Sequence, residues 1–526
     1  MNSFIFSRIE TNKKYTNIFF LIFLISVGLS LRLVYFPYEL PVTVDAFSSF
    51  RYAADIIALG HLPDLWLDPI NNGWAIFLSS WFSIIRLDEP LQYMQIQRFL
   101  SIIISTVTVI PIYYICTKFV KQKYALIGSA LFVLDPRIIL NSFLASTDPL
   151  YILLGTSSLL FLIKNNRKFT LISFGLAAFC TIVRGEGIFF FFAIIVIYLI
   201  RNKITKKSIS TILPSIGLFF IILLPMMIFR IDTVGTDGIF IRTATQLVET
   251  SQITNDYGYS RIFQSFEIFF KYLGWIMIPN LIFFVPFGII QYFKNRKKEN
   301  NFLVIFSIIM ILPMLYAYSV PALDTRYLYF LFPIFCVLSS LAIQRYFSKI
   351  KVQNYILVGI FITILFSSVL FYEYKKDDWR MDKNNEEEYL KISQEILKFS
   401  EGINYHPTIG RYLSVEQLPN QWPISYKDIS LKTELISPQQ NSLNEFIQQN
   451  RESLTHIVVD NKSDLPKFLI EVYEKEKLVT KKEYNEQFNY QNLSKKFELN
   501  SYESEIRLNI YDKMISKILI DLANLK

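Results

Sequence analysis

The chain has 526 residues, of which 52% are hydrophobic and only 18% charged, with 48 Phe and a mean hydropathy of +0.33. A soluble domain carries about a quarter charged residues, so the composition excludes an ordinary water-soluble enzyme and points to a membrane protein. The net charge of +9 does not indicate a nucleic-acid partner, because Lys and Arg sit in short breaks between apolar runs rather than in a stripe on a folded domain.

The first apolar run covers residues 16–36, behind Arg8, Lys13 and Lys14. It is long for a signal peptide and lacks a small-residue cleavage site, so it predicts an uncleaved first span. Further spans are predicted at 97–117, 124–141, 146–163, 169–183, 187–201, 209–230, 268–292, 301–319, 327–346 and 352–372, which makes eleven crossings. A cytoplasmic N-terminus then assigns to the cytoplasm five loops that are all basic: Lys118, Lys121 and Lys123; Lys164, Arg167 and Lys168; Arg201, Lys203, Lys206 and Lys207; Lys294, Arg296, Lys297 and Lys298; Arg345, Lys349 and Lys351. This is the bias expected of cytoplasmic loops in a multi-pass protein of the cell membrane. Asp45, Asp148, Arg184, Glu249, Asp324 and Arg326 all fall on the opposite face.

The stretch 169–200 has basic flanks on both sides and so crosses twice, in legs of about 15 residues where roughly 20 are needed to span. Its tip, VRGEG, is therefore predicted to dip below the surface with Arg184 and Glu186. Charges at that depth face a cavity or a partner.

The external segment 37–96 is too long for a simple connection. PVTVDAFSSFRYAADIIALGHLP shows helical spacing at Phe47, Phe50, Ala54 and Ile57, and NNGWAIFLSSWFSII is apolar but short, so two helices lying along the membrane surface are predicted. Asp45 stands at the start of the first, where an acid also serves as an N-cap. A second external loop covers 231–267; Glu249 within it reads as a solvated loop charge.

After residue 372 charged and amide residues dominate. Residues 373–526 are predicted to form a small soluble α/β domain outside the membrane, with helices near 386–400 and 464–475 and strands at 455–460 and 505–511. The sequons at Asn461 and Asn492 agree with that side. Cys116, Cys180 and Cys336 all lie in apolar runs without paired spacing, which indicates neither disulfides nor a metal knot.

Four short motifs on the external face resemble those of the GT-C superfamily of membrane glycosyltransferases. DAFSSFR (45–51) resembles the Asp, aromatic, Arg pattern in the first external loop of oligosaccharyltransferases, and ASTDPL (145–150) resembles their second acidic motif. VRGEGI (183–188) and TRYLYFLFP (325–333) resemble the Arg-Glu-Gly turn and the Arg-Tyr span opening of the protein mannosyltransferase and aminoarabinose transferase branch. The resemblance covers residues 16–372. It implies a polytopic α-helical GT-C-like fold, a polyprenyl-phosphate-linked sugar donor, and transfer to a protein, glycan or lipid acceptor on the external face. Two features depart from the oligosaccharyltransferase pattern: none of the six Trp has a Trp neighbour, so the Trp-Trp-Asp sequon motif is absent, and the second acidic motif offers Asp148 without a second carboxylate.

Sugar transfer from a lipid phosphate needs a carboxylate within about 3 Å of the attacking atom to take the acceptor proton, a role assigned to Asp45. The departing phosphate gathers negative charge, which an arginine fork grips bidentately. Arg326 and Arg184 are the candidates, and an Arg-Tyr pair at a span head also serves as an interfacial anchor. Asp148 holds the acceptor, Arg184 or, with Asp45, a divalent cation such as Mg or Mn. Glu186 and Arg51 complete the candidate substrate contacts, although Arg51, six residues beyond Asp45, does not face it directly and also suits a lipid headgroup. The rival reading is a transporter or lipid flippase, which would place its polar groups near the midplane of repeated halves; no such repeat is present.

Overall fold

The computed structural model describes residues 2–38, 40–42, 44–63, 72–85, 87, 90–235, 237, 259–294, 301–319, 324–374, 456–460 and 517–521. Each of the eleven predicted spans falls on a helix or a broken pair of helices. In chain order these are α1 (Asn2–Val34), the two loop helices α2 (Val44–Leu59) and α3 (Asn72–Ile84), then α4 (Pro90–Val107), α5 (Val109–Cys116), α6 (Gln122–Val133), α7 (Pro136–Phe143), α8 (Asp148–Ile163), α9 (Arg167–Val183), α10 (Gly187–Asn202), α11 (Lys206–Val234), α12 (Tyr259–Met277), α13 (Val285–Lys294), α14 (Phe302–Ser319), α15 (Phe332–Phe347) and α16 (Gln353–Tyr374). A 3-10 turn, Thr325–Leu331, leads into α15.

Five of these segments are long and apolar enough to cross a membrane alone, and two broken pairs qualify when joined: α6 with α7, bent by 48°, and the α12 region with the Leu281–Lys294 segment, bent by 105°. The bend after α6 has a local cause. Asp135 leaves the helical region and caps α7, accepting from the backbone N–H of Arg137 and Ile138, and Pro136 cannot continue the preceding ladder. The α9–α10 hairpin turns at residues 184–186, as its basic flanks predicted. Its legs of 17 and 16 residues reach only about 24–26 Å at 1.5 Å per residue, less than a bilayer core of about 30 Å.

Burial separates central from peripheral helices. The most apolar window of Thr325–Phe347 is 78% buried, whereas those of Lys206–Thr233 and Gln353–Tyr374 are each 22% buried despite higher hydropathy. A helix apolar all round but mostly uncovered requires an apolar solvent, here lipid. Arg32 on α1 is fully buried inside the bundle, donating to the carbonyls of Gly28 (2.9 Å) and Val133 (2.8 Å) and to the hydroxyls of Ser142 (3.3 Å) and Ser105 (3.2 Å). These bonds tie α1, α4, α6 and α7 together and make the buried charge tolerable.

The two loop helices form where predicted and pack against each other. α3 also meets the end of α9 at Gly73, where a Cβ would stand 2.8 Å from the backbone nitrogen of Val183. Only glycine allows that approach, and it holds the residue just before Arg184. Beyond residue 374 the described residues form one antiparallel pair, β1 (His456–Asp460) with β2 (Lys517–Asp521). β1 matches the strand predicted at 455–460. β2 lies where no strand was expected, while the predicted strand at 505–511, both predicted helices of this region, and Glu249 lie outside the described residues.

Candidate functional site

The acid-bearing segments are held together by side chains of α4. Arg98 donates to the carbonyls of Phe143 (2.9 Å), Pro37 (3.1 Å), Leu40 (2.8 Å) and Pro41 (3.2 Å), which fixes the chain entering α2. Gln97, fully buried, donates to the carbonyls of Ala46 (2.9 Å) and Ala145 (3.0 Å). One amide therefore bridges the first turn of α2, which carries Asp45, to the turn before Asp148. Ala145 adopts the left-handed conformation at φ 56°, which costs a non-glycine residue about 1 kcal/mol or more. Its carbonyl is pinned further by the Trp74 indole N–H at 2.9 Å, and the turn presents Ser146 and Asp148 at the head of α8.

Two ion clusters meet there. In the first, Arg184 bonds the Asp148 carboxylate through Nη1 and the Glu186 carboxylate through Nη2 at 2.9 Å and Nε at 3.3 Å. Its guanidinium lies over the rings of Tyr151 (5.7 Å) and Tyr327 (5.8 Å). Burial alone would raise the Glu186 carboxyl, but the Arg184 guanidinium beside it outweighs that and holds it below its usual range. Ser146 Oγ donates to Asp148 Oδ2 at 2.9 Å, so Asp148 is satisfied from two sides. Tight packing builds this cluster: the hairpin can close only because Gly187 sits where a Cβ would stand 2.6 Å from the Thr181 backbone.

In the second cluster the Arg326 guanidinium faces three carboxylates. Its Nε meets Asp324 at 2.5 Å, Nη2 meets Asp45 at 3.4 Å and Nη1 meets Asp148 at 3.8 Å. Asp324 caps the 3-10 turn, accepting from the Arg326 N–H at 2.8 Å. A cavity of about 380 Å³ opens beside it, lined by Asp45, Ala46, Leu144, Ser146, Asp324, Thr325, Arg326 and Tyr329. A narrower one of about 30 Å³ lies between Arg326 and Arg184, against Tyr151, Tyr327 and Phe330.

Five of the six sequence-derived candidates thus converge: Asp45, Asp148, Arg184, Glu186 and Arg326. Arg51 does not line either cavity; its guanidinium lies 5.9 Å from the Phe47 ring on its own helix. Asp45 and Asp148, read as candidate ligands of a divalent ion, face the two terminal nitrogens of Arg326, so a guanidinium already stands between them. Among the described residues no group of three or more His, Cys, Asp or Glu could hold a metal. The geometry fits the guanidinium better than an ion. Sequence reasoning missed Gln97, Arg98 and the roles of Ser146 and Asp324. Asp324 alone left a signal, an acid two residues before an arginine at a helix start.

The family model for dolichyl-phosphate-mannose-protein mannosyltransferase matches residues 92–229. No curated protein matches the chain in sequence. Among solved structures, ArnT from Cupriavidus metallidurans bound to undecaprenyl phosphate aligns with a TM-score of 0.57 at 10% identity, over 96% of this chain and 98% of that one. The Archaeoglobus fulgidus oligosaccharyltransferase AglB in complex with an inhibitory peptide and a dolichol-phosphate aligns at 0.54 and 13% identity, over 86% of this chain and 70% of that one. The same enzyme with Zn and sulfate aligns at 0.55 and 14% identity, over 84% and 68%. The chain shares the helical fold of these structures.

Proposed function

We propose that the protein is a membrane glycosyltransferase that moves a sugar from a polyprenyl phosphate to a protein, glycan or lipid acceptor on the external face. One observation carries this reading: an exposed carboxylate suited to act as a base and a guanidinium whose terminal nitrogens make only long contacts lie side by side, Asp45 at 3.4 Å and Asp148 at 3.8 Å from Arg326, at the edge of a cavity of about 380 Å³. Small-molecule sites span about 300–1,000 Å³. The likeness to ArnT with undecaprenyl phosphate and to AglB with dolichol-phosphate supports a lipid phosphate as the donor's leaving group.

In this mechanism the Asp45 carboxylate takes the proton of the acceptor nucleophile as that atom bonds to the anomeric carbon. The bond from that carbon to the phosphate oxygen breaks, and its electron pair leaves on the phosphate. Arg326 turns its Nη1 and Nη2 groups to the phosphate as charge develops there, which stabilises the transition state more than the ground state. Arg184, saturated by Asp148 and Glu186, holds the floor of the site rather than the phosphate. No step is assigned to a metal.

The test incubates purified protein in detergent with a panel of radiolabelled polyprenyl-phosphate sugars, comparing wild type with Asp45→Asn. Label should leave the lipid only with wild type. Donor turnover that survives the substitution unchanged removes Asp45 from the mechanism, and a substrate gradient coupled across proteoliposomes would favour a transporter instead.

A further inference from the structure

We propose that Asp324 is a positioning residue that selects which edge of Arg326 meets the donor phosphate; the inference rests on the donor-phosphate reading above. A guanidinium can grip an anion bidentately through its side edge, Nε with one Nη, or through its end edge, Nη1 with Nη2. Asp324 closes the first choice. Its Oδ2 lies 2.5 Å from Nε, while its Oδ1 accepts from the backbone N–H of the same arginine at 2.8 Å. Asp324 is itself anchored, since its carbonyl accepts from the Tyr318 hydroxyl on α14 at 3.0 Å.

The remaining contacts of Arg326 are of another kind. At 3.4 Å to Asp45 and 3.8 Å to Asp148 they exceed the 2.7–2.9 Å typical of charge-assisted hydrogen bonds, so an incoming phosphate can replace them. Asp324 thus holds one side of the guanidinium firmly and leaves the end edge exchangeable. It also stands between two cavities, the one of about 380 Å³ that contains Asp45 and one of about 780 Å³ along α12 that contains Lys271 and Trp275. A guanidinium released from Asp324 could swing toward the second and away from the base.

This reading has a sign that plain electrostatics does not share. Removing a carboxylate beside an anion site should tighten anion binding by Coulomb's law, whereas losing the positioning contact should weaken it. The experiment measures binding of undecaprenyl phosphate to full-length protein in detergent, for wild type, Asp324→Asn, Arg326→Lys and the double variant. Asp324→Asn keeps an oxygen for the backbone cap and removes the charge on Nε. It should raise the dissociation constant about tenfold, and the increment should vanish in the Arg326→Lys background, because lysine has no second edge to select. Asp324→Glu, which restores the charge on a longer arm, should recover part of the affinity and serves if the asparagine variant does not fold. Tighter or unchanged binding in Asp324→Asn, or an equal loss with and without Arg326, would overturn the proposal while leaving the donor reading intact. Failure of wild type to bind the lipid phosphate would remove both.

Discussion

The two arginine clusters use the same chemistry in opposite settings. Arg184 is enclosed: its side chain is 15% exposed, its partner Asp148 5%, and two tyrosine rings cover the guanidinium. Arg326 is open: it is 29% exposed, its partner Asp45 64%, and its contacts to Asp45 and Asp148 are long. An ion pair that is short, buried and covered is part of the fold, whereas one that is long and borders a cavity is available to a substrate. The position of an arginine beside an acid therefore does not define its role. Its solvent access does.

The largest expected effect falls on the open cluster. Asp45→Asn should lower transfer by about 10²–10⁴-fold and yet bind undecaprenyl phosphate at least as tightly as wild type, because Asp45 and the phosphate compete for Arg326; weaker lipid binding in a lipid-titration assay would place Asp45 in the phosphate site instead. Next come the two arginines, which should separate cleanly. Arg326→Ala should cost about 10²–10³-fold in kcat/KM with little change in the melting midpoint. Arg184→Ala removes the short ion-pair partner of the buried Asp148, leaving it Ser146 and the 3.8 Å contact to Arg326, and should destabilise the fold by about 3 kcal/mol in detergent unfolding titrations. Equal melting curves for the two variants would erase the distinction between the clusters.

Smaller effects depend on pH. Glu186 ionises below its usual range, so its contribution to stability is complete above the unfolded value of about 4.3 and disappears as pH falls through the lower folded value. Glu186→Gln should lower the melting midpoint at neutral pH, where the carboxylate stabilises, and leave the acid end little changed, which flattens the acid limb of the curve. Asp55 on α2 shifts the other way: it is 1% exposed, and burial pushes its carboxyl up to about 7 against the attraction of Arg51. The folded protein then binds more protons than the unfolded chain between about pH 4 and 7, so stability falls as pH rises across that window. The slope from this one group is at most about 1.4 kcal/mol per pH unit. Asp55→Asn should remove it, and melting midpoints at pH 5 and pH 8 check both the sign and the size.

The helices were legible because their cause is local. Apolar runs broken by basic loops placed each predicted span on a helix or a broken pair of helices, and the paired basic flanks of 169–200 revealed a hairpin that length alone would read as one helix. Within the site, legibility followed the range of the interaction. Asp324 beside Arg326 is a helix-start contact two residues apart. The meeting of Asp45 with Arg326, 281 residues away, could be expected only from a shared membrane face. Arg51 shows the limit of that signal, since it shares a helix and a face with Asp45 yet borders neither cavity. Gln97 and Arg98 left no signal, because a polar pair in an apolar run looks alike whether it faces lipid, solvent or the carbonyls of a distant loop.

From its sequence alone the chain is determined to be a polytopic helical protein with a long first loop, and its acids and arginines are gathered on one face, because hydropathy and charge bias act over a few residues at a time. Which arginine is sealed and which stays open was decided only in three dimensions. There Gly73 and Gly187 draw the α9–α10 hairpin in close, two tyrosines cover Arg184, and Asp324 holds Arg326 at the edge of a cavity. Those are steric and dielectric facts of packing between distant segments, and no local pattern encodes them.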